Sequence, residues 1–191
     1  MVVDWGGLGG QSVMVNEQHS IFITDLLLEL APTGQRRSPF APAVHAGHLH
    51  ISTPAFRHIV SNLLTEEIDI PVGKLAFVDC GWQAGGAWLT MRVRSFLQQN
   101  VTLRAALSAA PSGNLQIQIL DVRAGMLPLN RLLDPMLDQV VKRPGFIRTG
   151  PMEVELNVAE LLRAQNVPLT WTAQVRNVRV DPDMLILEMG Q

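Results

Sequence analysis

A regular alternation of side chains in the middle of the sequence constrains the fold more than any other feature. Between residues 101 and 119, apolar side chains occupy every second position on both sides of the segment Pro111-Ser112-Gly113-Asn114. Successive side chains of a β-strand point to opposite faces, so this pattern predicts an antiparallel hairpin with one buried face. The alternating apolar positions are Val101, Leu103, Ala105, Leu107, Ala109, Leu115, Ile117 and Ile119.

Two further hairpins are predicted on either side of this one. Residues 73–94 turn at Ala84-Gly85-Gly86, where glycine supplies the positive φ angle that a tight turn needs. Residues 169–189 turn at Asp181-Pro182-Asp183. Single strands are predicted at residues 21–30, 48–51 and 152–156.

Two segments carry apolar residues at helical spacing. Ser52-Thr53-Pro54 provides a hydroxyl N-cap and a proline in the first turn, so a helix is predicted over about residues 54–66. A second helix is predicted over about residues 130–142, where Pro135 either kinks the helix or lies in its first turn. The apolar stripes are Phe56, Ile59, Val60, Leu63 and Leu64 in the first helix, and Leu129, Leu132, Leu133, Met136, Leu137, Val140 and Val141 in the second.

These elements predict an α+β fold, in which a strongly curved antiparallel β-sheet of long hairpins wraps around amphipathic helices. The length of 191 residues suits one domain. We assign residues 18–191 to that domain, after a flexible, glycine-rich N-terminal segment at residues 1–17. Residues 31–47 contain several prolines and predict a long loop. Asn157 and Glu160 have capping-box spacing and predict a short third helix.

The composition is apolar. Hydrophobic residues make up 47% of the sequence, charged residues make up 17%, and the mean hydropathy is +0.18. The excess of apolar side chains is accommodated in a large core, an internal cavity, an oligomer interface or a lipid-facing groove, and composition leaves all four open.

Charge and aromatic content argue against nucleic acid as a partner. The net charge is −2, aromatic residues are 5% of the sequence and tyrosine is absent. A basic surface and a base-stacking platform are therefore not expected. The sequence has one cysteine, no basic leader segment and no apolar run of about 18–20 residues, which predicts a cytoplasmic protein.

Three histidines, His45, His48 and His50, form the one histidine cluster of the sequence. Their spacing is compatible with zinc ligands. However, no cysteine lies near them, and residues 30–65 contain neither aspartate nor glutamate. A solvated strand edge is the favoured interpretation, and we predict no metal and no cofactor.

Other candidate catalytic groups have plainer explanations. Cys80 lies in the middle of a predicted hairpin, where a buried structural cysteine is expected. Glu66, Glu67 and Asp69 have the chemistry of an acid–base pair, but they follow a helix end, where solvated charges are common. Residues 6–10 are rich in glycine but lack the strand and the Lys-Ser/Thr of a phosphate loop. We therefore predict that the protein is not an enzyme.

Three segments carry a resemblance to a known family. The helix "STPAFRHIVSNLL" precedes a hairpin with a glycine turn, and "NVTLRAALSAAPSGNLQIQILDVRAGMLPLNRLLDPML" runs from strand, turn and strand through Leu127-Pro128-Leu129 into a leucine-rich helix. A final hairpin, "VRNVRVDPDMLILEMG", completes the set. On these segments Leu49 to Gly190, about three quarters of the sequence, resembles the LmeA-like members of the TULIP superfamily of tubular lipid-binding proteins.

The resemblance implies a curved antiparallel sheet around a long helix, with an apolar ligand or lipid held between them. The two helix stripes would then line the cavity rather than fill an ordinary core. Peripheral membrane contact and a homo-oligomer are left open as partners. The alternatives are a structural or assembly protein that uses its apolar surface for oligomerisation and, more distantly, a hydrolase. The predicted ligand-binding residues are Phe56, Ile59, Val60, Leu63, Leu132, Met136 and Val140.

Overall fold

The protein has an α+β fold composed mostly of antiparallel strands, as the sequence predicts. The computed structural model describes residues 2–4, 13–16, 21–32, 40–65, 67–70, 73–94, 99–124, 127–128, 133–164 and 170–191. In chain order the elements are β1 (Val2–Asp4), β2 (Val13–Asn16), β3 (Ile21–Pro32), β4 (Phe40–Ser52), α1 (Thr53–Leu63), β5 (Ile68–Ile70), β6 (Gly73–Gln83), β7 (Gly86–Arg94), β8 (Gln99–Ala109), β9 (Leu115–Ala124), β10 (Leu127–Pro128), α2 (Leu133–Val140), β11 (Phe146–Gly150), β12 (Glu153–Leu156), α3 (Val158–Ala164), β13 (Thr170–Trp171), β14 (Gln174–Asp181) and β15 (Met184–Gly190).

The described strands form two sheets. In the first, the order is β1-β3-β4-β15-β14, with β2 pairing with β3 and β13 running parallel to β4. In the second, the order is β11-β12-β9-β8-β7-β6-β5, with β10 pairing with β9. The second sheet curls strongly into a half-barrel. Its register shifts between Phe77 and Asp79 and between Arg104 and Ala105, and such irregularities increase local twist.

The two sheets are joined by direct backbone contacts. The Val175 N–H of β14 donates a hydrogen bond to the Gly113 carbonyl oxygen at 2.8 Å, in the turn between β8 and β9. Gly113 has a φ of 81°, and a Cβ atom there would lie 2.6 Å from Cγ of Gln174. Glycine is therefore needed both for the turn and for the close approach of the sheets.

The first and third helices start where the capping residues predict. The Ser52 hydroxyl accepts a hydrogen bond from the Ala55 N–H at 3.3 Å, and the Asn157 side chain accepts one from the Glu160 N–H at 3.1 Å. Pro135 lies in the first turn of the described α2. The longest described helix has 11 residues, so the long helix implied by the TULIP resemblance is not found in the described ranges.

Two segments differ from the sequence prediction. Most of residues 31–47 is strand rather than loop: Ala31 and Pro32 end β3, and Phe40 begins β4, which continues to Ser52 and pairs with β3. In the N-terminal segment 1–17, predicted to be flexible, residues 2–4 and 13–16 form strands on β3. In both places pairing with a neighbouring strand overrides local composition. The rest of both segments lies outside the described residues.

Buried apolar side chains form two clusters. The larger one joins the first sheet to α1 and α3 and includes Ile23, Leu49 and Leu187. The smaller one joins α2 to the half-barrel and includes Leu133 and Val122.

Candidate functional site

A pocket of about 350 Å³ lies between the two core clusters. The inner face of the half-barrel forms one side of it, and α1 and α2 form the other. All but four of the lining residues are apolar, and the four polar residues are Glu67, Asp69, Gln139 and Arg143. The volume is near the lower end of the range of about 300–1,000 Å³ that is usual for small-molecule pockets.

The alternating pattern of the hairpins supplies the sheet side of the pocket. Leu107, Ile117 and Ile119, which the sequence places on the buried face, all line it. Ala87 and Ala105 also line it and are direct cross-strand partners on β7 and β8. Because both side chains are only methyl groups, they leave room for the pocket, and we call this part the recessed wall.

The first helix contributes its four predicted ligand-binding residues, Phe56, Ile59, Val60 and Leu63, and Leu64 of the same stripe also lines the pocket. Phe56 stacks on Trp82, with ring centroids 3.8 Å apart and an interplanar angle of 18°. The Trp82 indole Nε1–H donates to the Ile51 carbonyl oxygen at 3.0 Å. This hydrogen bond fixes the aromatic pair in the pocket wall.

The second helix contributes Met136 and Val140. Arg148 holds this helix against β11 through a hydrogen bond to Asp134 and a 3.1 Å contact with Asp138. The hydrogen bond with Asp134 raises the pKa of Arg148. The structure thus brings six of the seven predicted residues around one pocket, while Leu132 lies outside the described residues.

The polar lining residues come from two neighbouring segments, because Glu67 and Asp69 lie at β5, Gln139 and Arg143 lie at or just beyond the end of α2, and α2 packs against β5. We call this group the polar end of the pocket, and it was not predicted as part of a site. Glu67 pairs with Arg94 at 2.5 Å and with Lys74 at 3.9 Å, and Asp69 also pairs with Lys74 at 3.9 Å. These pairs hold two of the three carboxylates that the sequence offered for acid–base chemistry, while Glu66 lies outside the described residues. Arg143, just beyond α2, lines the same end. Because Arg143 lies beyond the last residue of α2, no helical spacing in the sequence marks it as part of a site.

The histidines have separate partners. His48 Nδ1 lies 3.1 Å from an Asp25 carboxylate oxygen, and His50 Nε2 lies 2.9 Å from the Thr24 hydroxyl. Burial lowers the pKa of His50, with a further contribution from His48. Among the described residues, no group of three or more histidine, cysteine, aspartate or glutamate side chains is arranged to hold a metal ion.

Cys80 is buried in β6, as predicted. Burial raises the pKa of its thiol to about 12, with a smaller contribution from Asp79. The side chain is therefore a neutral thiol at physiological pH, whereas the thiolate is the reactive form.

Three large apolar side chains are exposed among the described residues, Val78 at 40% and Leu120 and Ile147 at 52% each. No helix in the described ranges has the length and hydropathy needed to cross a bilayer.

Comparison with known proteins gives no relative: no family model, no curated protein and no solved structure matches the chain.

Proposed function

We propose that the protein binds an elongated apolar ligand, such as a single acyl chain, in the pocket between the half-barrel and the two helices. The observation that carries the proposal is the combination of about 350 Å³ of space, a mostly apolar lining and a few polar residues that come from two neighbouring segments, at β5 and at the end of α2. Each methylene group transferred from water into such a space stabilises the complex by about 0.8 kcal/mol.

The pocket walls support binding without large rearrangement. The sheet side includes paired strands β6, β7, β8 and β9, and Phe56 of α1 stacks on Trp82 of β6. Preformed walls reduce the entropic cost of ordering protein groups around a ligand. Several lining side chains, including Val60, Leu63 and Val140, are only half-buried, so a ligand would remove further apolar surface from water.

Membership of the TULIP superfamily is part of the same proposal. It is supported by the curled antiparallel sheet facing amphipathic helices, although the described helices are short. A cytoplasmic location is also proposed, because Cys80 is the one cysteine in these 191 residues and no disulfide can form among them.

The test measures uptake of a fluorescent fatty acid by the wild type and by two variants in which an alanine is replaced by leucine. Ala105→Leu places a larger side chain at the recessed wall, and Ala106→Leu makes the same change at the next position of β8, which does not line the pocket. We expect one ligand per wild-type chain, retained uptake by Ala106→Leu and strongly reduced uptake by Ala105→Leu.

A wild-type protein that takes up no fatty acid or phospholipid would contradict the proposal. If that protein also self-associates, the assembly interpretation takes its place, with the exposed Val78, Leu120 and Ile147 as the first residues to replace.

A further inference from the structure

Some charged residues at the polar end of the pocket form ion pairs with other described residues, and one does not. Both carboxylates there are within 4 Å of a cationic side chain: Glu67 lies 2.5 Å from Arg94, and Asp69 lies 3.9 Å from Lys74. Arg143 has neither an ion pair nor a side-chain hydrogen bond with any other described residue. It is only partly exposed and lines the pocket. The polar end therefore presents one cation whose donors are not used by the described protein.

We propose that the ligand is a single-chain amphiphile with an anionic head group, and that Arg143 binds that head group while the chain enters the apolar pocket. This inference rests on the proposed function, because it assigns the head of the ligand whose tail the pocket holds. A guanidinium group offers five N–H donors in a planar fork that matches two oxygens of a carboxylate or a phosphate.

The backbone of Arg143 is fixed in the turn between α2 and β11. Its N–H donates to the Val140 carbonyl oxygen at 3.0 Å, and its own carbonyl oxygen accepts from the Phe146 N–H at 3.3 Å. Val140 and Phe146 also line the pocket. The base of the side chain is consequently held at the pocket edge before any ligand arrives, which is the condition for a preorganised anchor.

A structural role for Arg143 makes a different prediction. A cation near the C-terminal end of a helix is stabilised by the helix dipole, and Arg143 follows Val140, the last residue of α2. In that case, replacing it would lower stability but would not change which head groups the protein prefers. A cationic ligand is the other alternative, with Glu67 and Asp69 as its partners.

The experiment compares laurate, dodecanol and dodecylamine, which share one chain length and differ in head-group charge, by calorimetry at neutral pH and below their micelle concentrations. The proteins are the wild type, Arg143→Gln, Arg143→Lys and Lys142→Gln. Lys142 is exposed and does not line the pocket, so its variant loses the same charge at the neighbouring position. Dodecyl phosphate, added as a fourth ligand, distinguishes a phosphate head group from a carboxylate.

We expect the wild type to bind laurate at least about tenfold more tightly than dodecanol. This ratio is what one charge-assisted hydrogen bond between the guanidinium and the carboxylate contributes. Arg143→Gln should bring this ratio close to one, Arg143→Lys should restore part of it, and Lys142→Gln should leave it unchanged. Dodecanol should bind the wild type and Arg143→Gln with similar affinity.

Failure of the proposed function and failure of the head-group assignment give different results. If no ligand binds the wild type, the proposed function itself is wrong. If laurate and dodecanol bind equally to the wild type, or if Arg143→Gln keeps the preference, the pocket holds a chain and Arg143 is not its anchor. Tighter binding of dodecylamine than of laurate would assign the head-group site to Glu67 and Asp69.

Discussion

Replacing alanine by leucine at three positions separates an open pocket from a packed core by the sign of the stability change. Ala105 lines the pocket, Ala55 is fully buried in α1 and does not line it, and Ala106 follows Ala105 on the other face of β8. The chemical change is the same in all three variants, so the differences report the space around each site.

The magnitudes follow from the environment of each methyl group. At Ala105 the leucine adds three carbon atoms beside about 350 Å³ of space. Their burial contributes about 2 kcal/mol, and ordering the side chain costs about 0.5–1 kcal/mol. The free energy of unfolding should therefore rise by about 1 kcal/mol. At Ala55, with 0% exposure, overpacking should lower it by about 1–3 kcal/mol. At Ala106 it should change by less than about 0.5 kcal/mol.

Urea denaturation of ligand-free protein measures all three variants. Equal m-values would show that the differences in midpoint report stability alone. A loss of stability at Ala105 as large as the loss at Ala55 would refute the reasoning, because it would mean that the wall at Ala105 has no room for a larger side chain.

Three further predictions follow from individual features of the structure. Calorimetry with saturated fatty acids from octanoate upwards should show affinity that rises about fourfold per methylene until the pocket is filled and then stays constant. Affinity without such a plateau would indicate a surface site. His50 has a lowered pKa in the folded protein, so the stability it contributes is present above pH about 6.5 and is lost as the pH falls through its folded-state pKa. The His50→Gln variant should therefore lose less stability than the wild type when urea melts at neutral pH are compared with melts at pH about 5, and equal losses would argue against this. Cys80, with its pKa raised to about 12, should react with a thiol reagent at pH about 8 only after unfolding, and rapid labelling of native protein would be inconsistent with its burial.

The sequence predicts the parts of the fold that depend on local patterns. Period-two alternation predicts the hairpin after residue 101, because Val101, Ala105, Leu115 and Ile119 are buried while neighbouring positions are more exposed. The glycine turn at residues 84–86 predicts the hairpin at residues 73–94. The stripes of α1 and α2 were found because both helices pack on one side only.

The missed elements depend on partners distant in sequence. Pro42 suggested a loop, yet it lies opposite Leu30 in the pairing of β3 with β4. The short strands β5 and β13 carry too few residues for a readable pattern. Likewise, the recessed wall of the pocket exists because Ala87 and Ala105 are aligned across β7 and β8. That alignment is a property of register, which the alternation of either strand alone does not specify.

The position of Arg143 shows the same limit for the candidate site. The apolar stripes of the two helices predict pocket residues, and the acidic residues after α1 are recognisable as candidate acid–base groups. A single arginine after a helix carries no such signal. Its significance comes from the pairing of Glu67 with Arg94 and of Asp69 with Lys74, whereas Arg143 has no ion pair with any residue that the structure describes. Such an inventory requires the three-dimensional arrangement of two separate segments.

The central claim is that an acyl chain lies inside the pocket, and a crystal structure with an ω-bromo fatty acid tests it most directly. Anomalous scattering locates the bromine at the end of the chain. The account predicts one bromine peak deep in the pocket near Ala105 and Ile119, with the carboxylate beside Arg143. A pocket filled by protein side chains, or bromine found only on the outer surface, would contradict it.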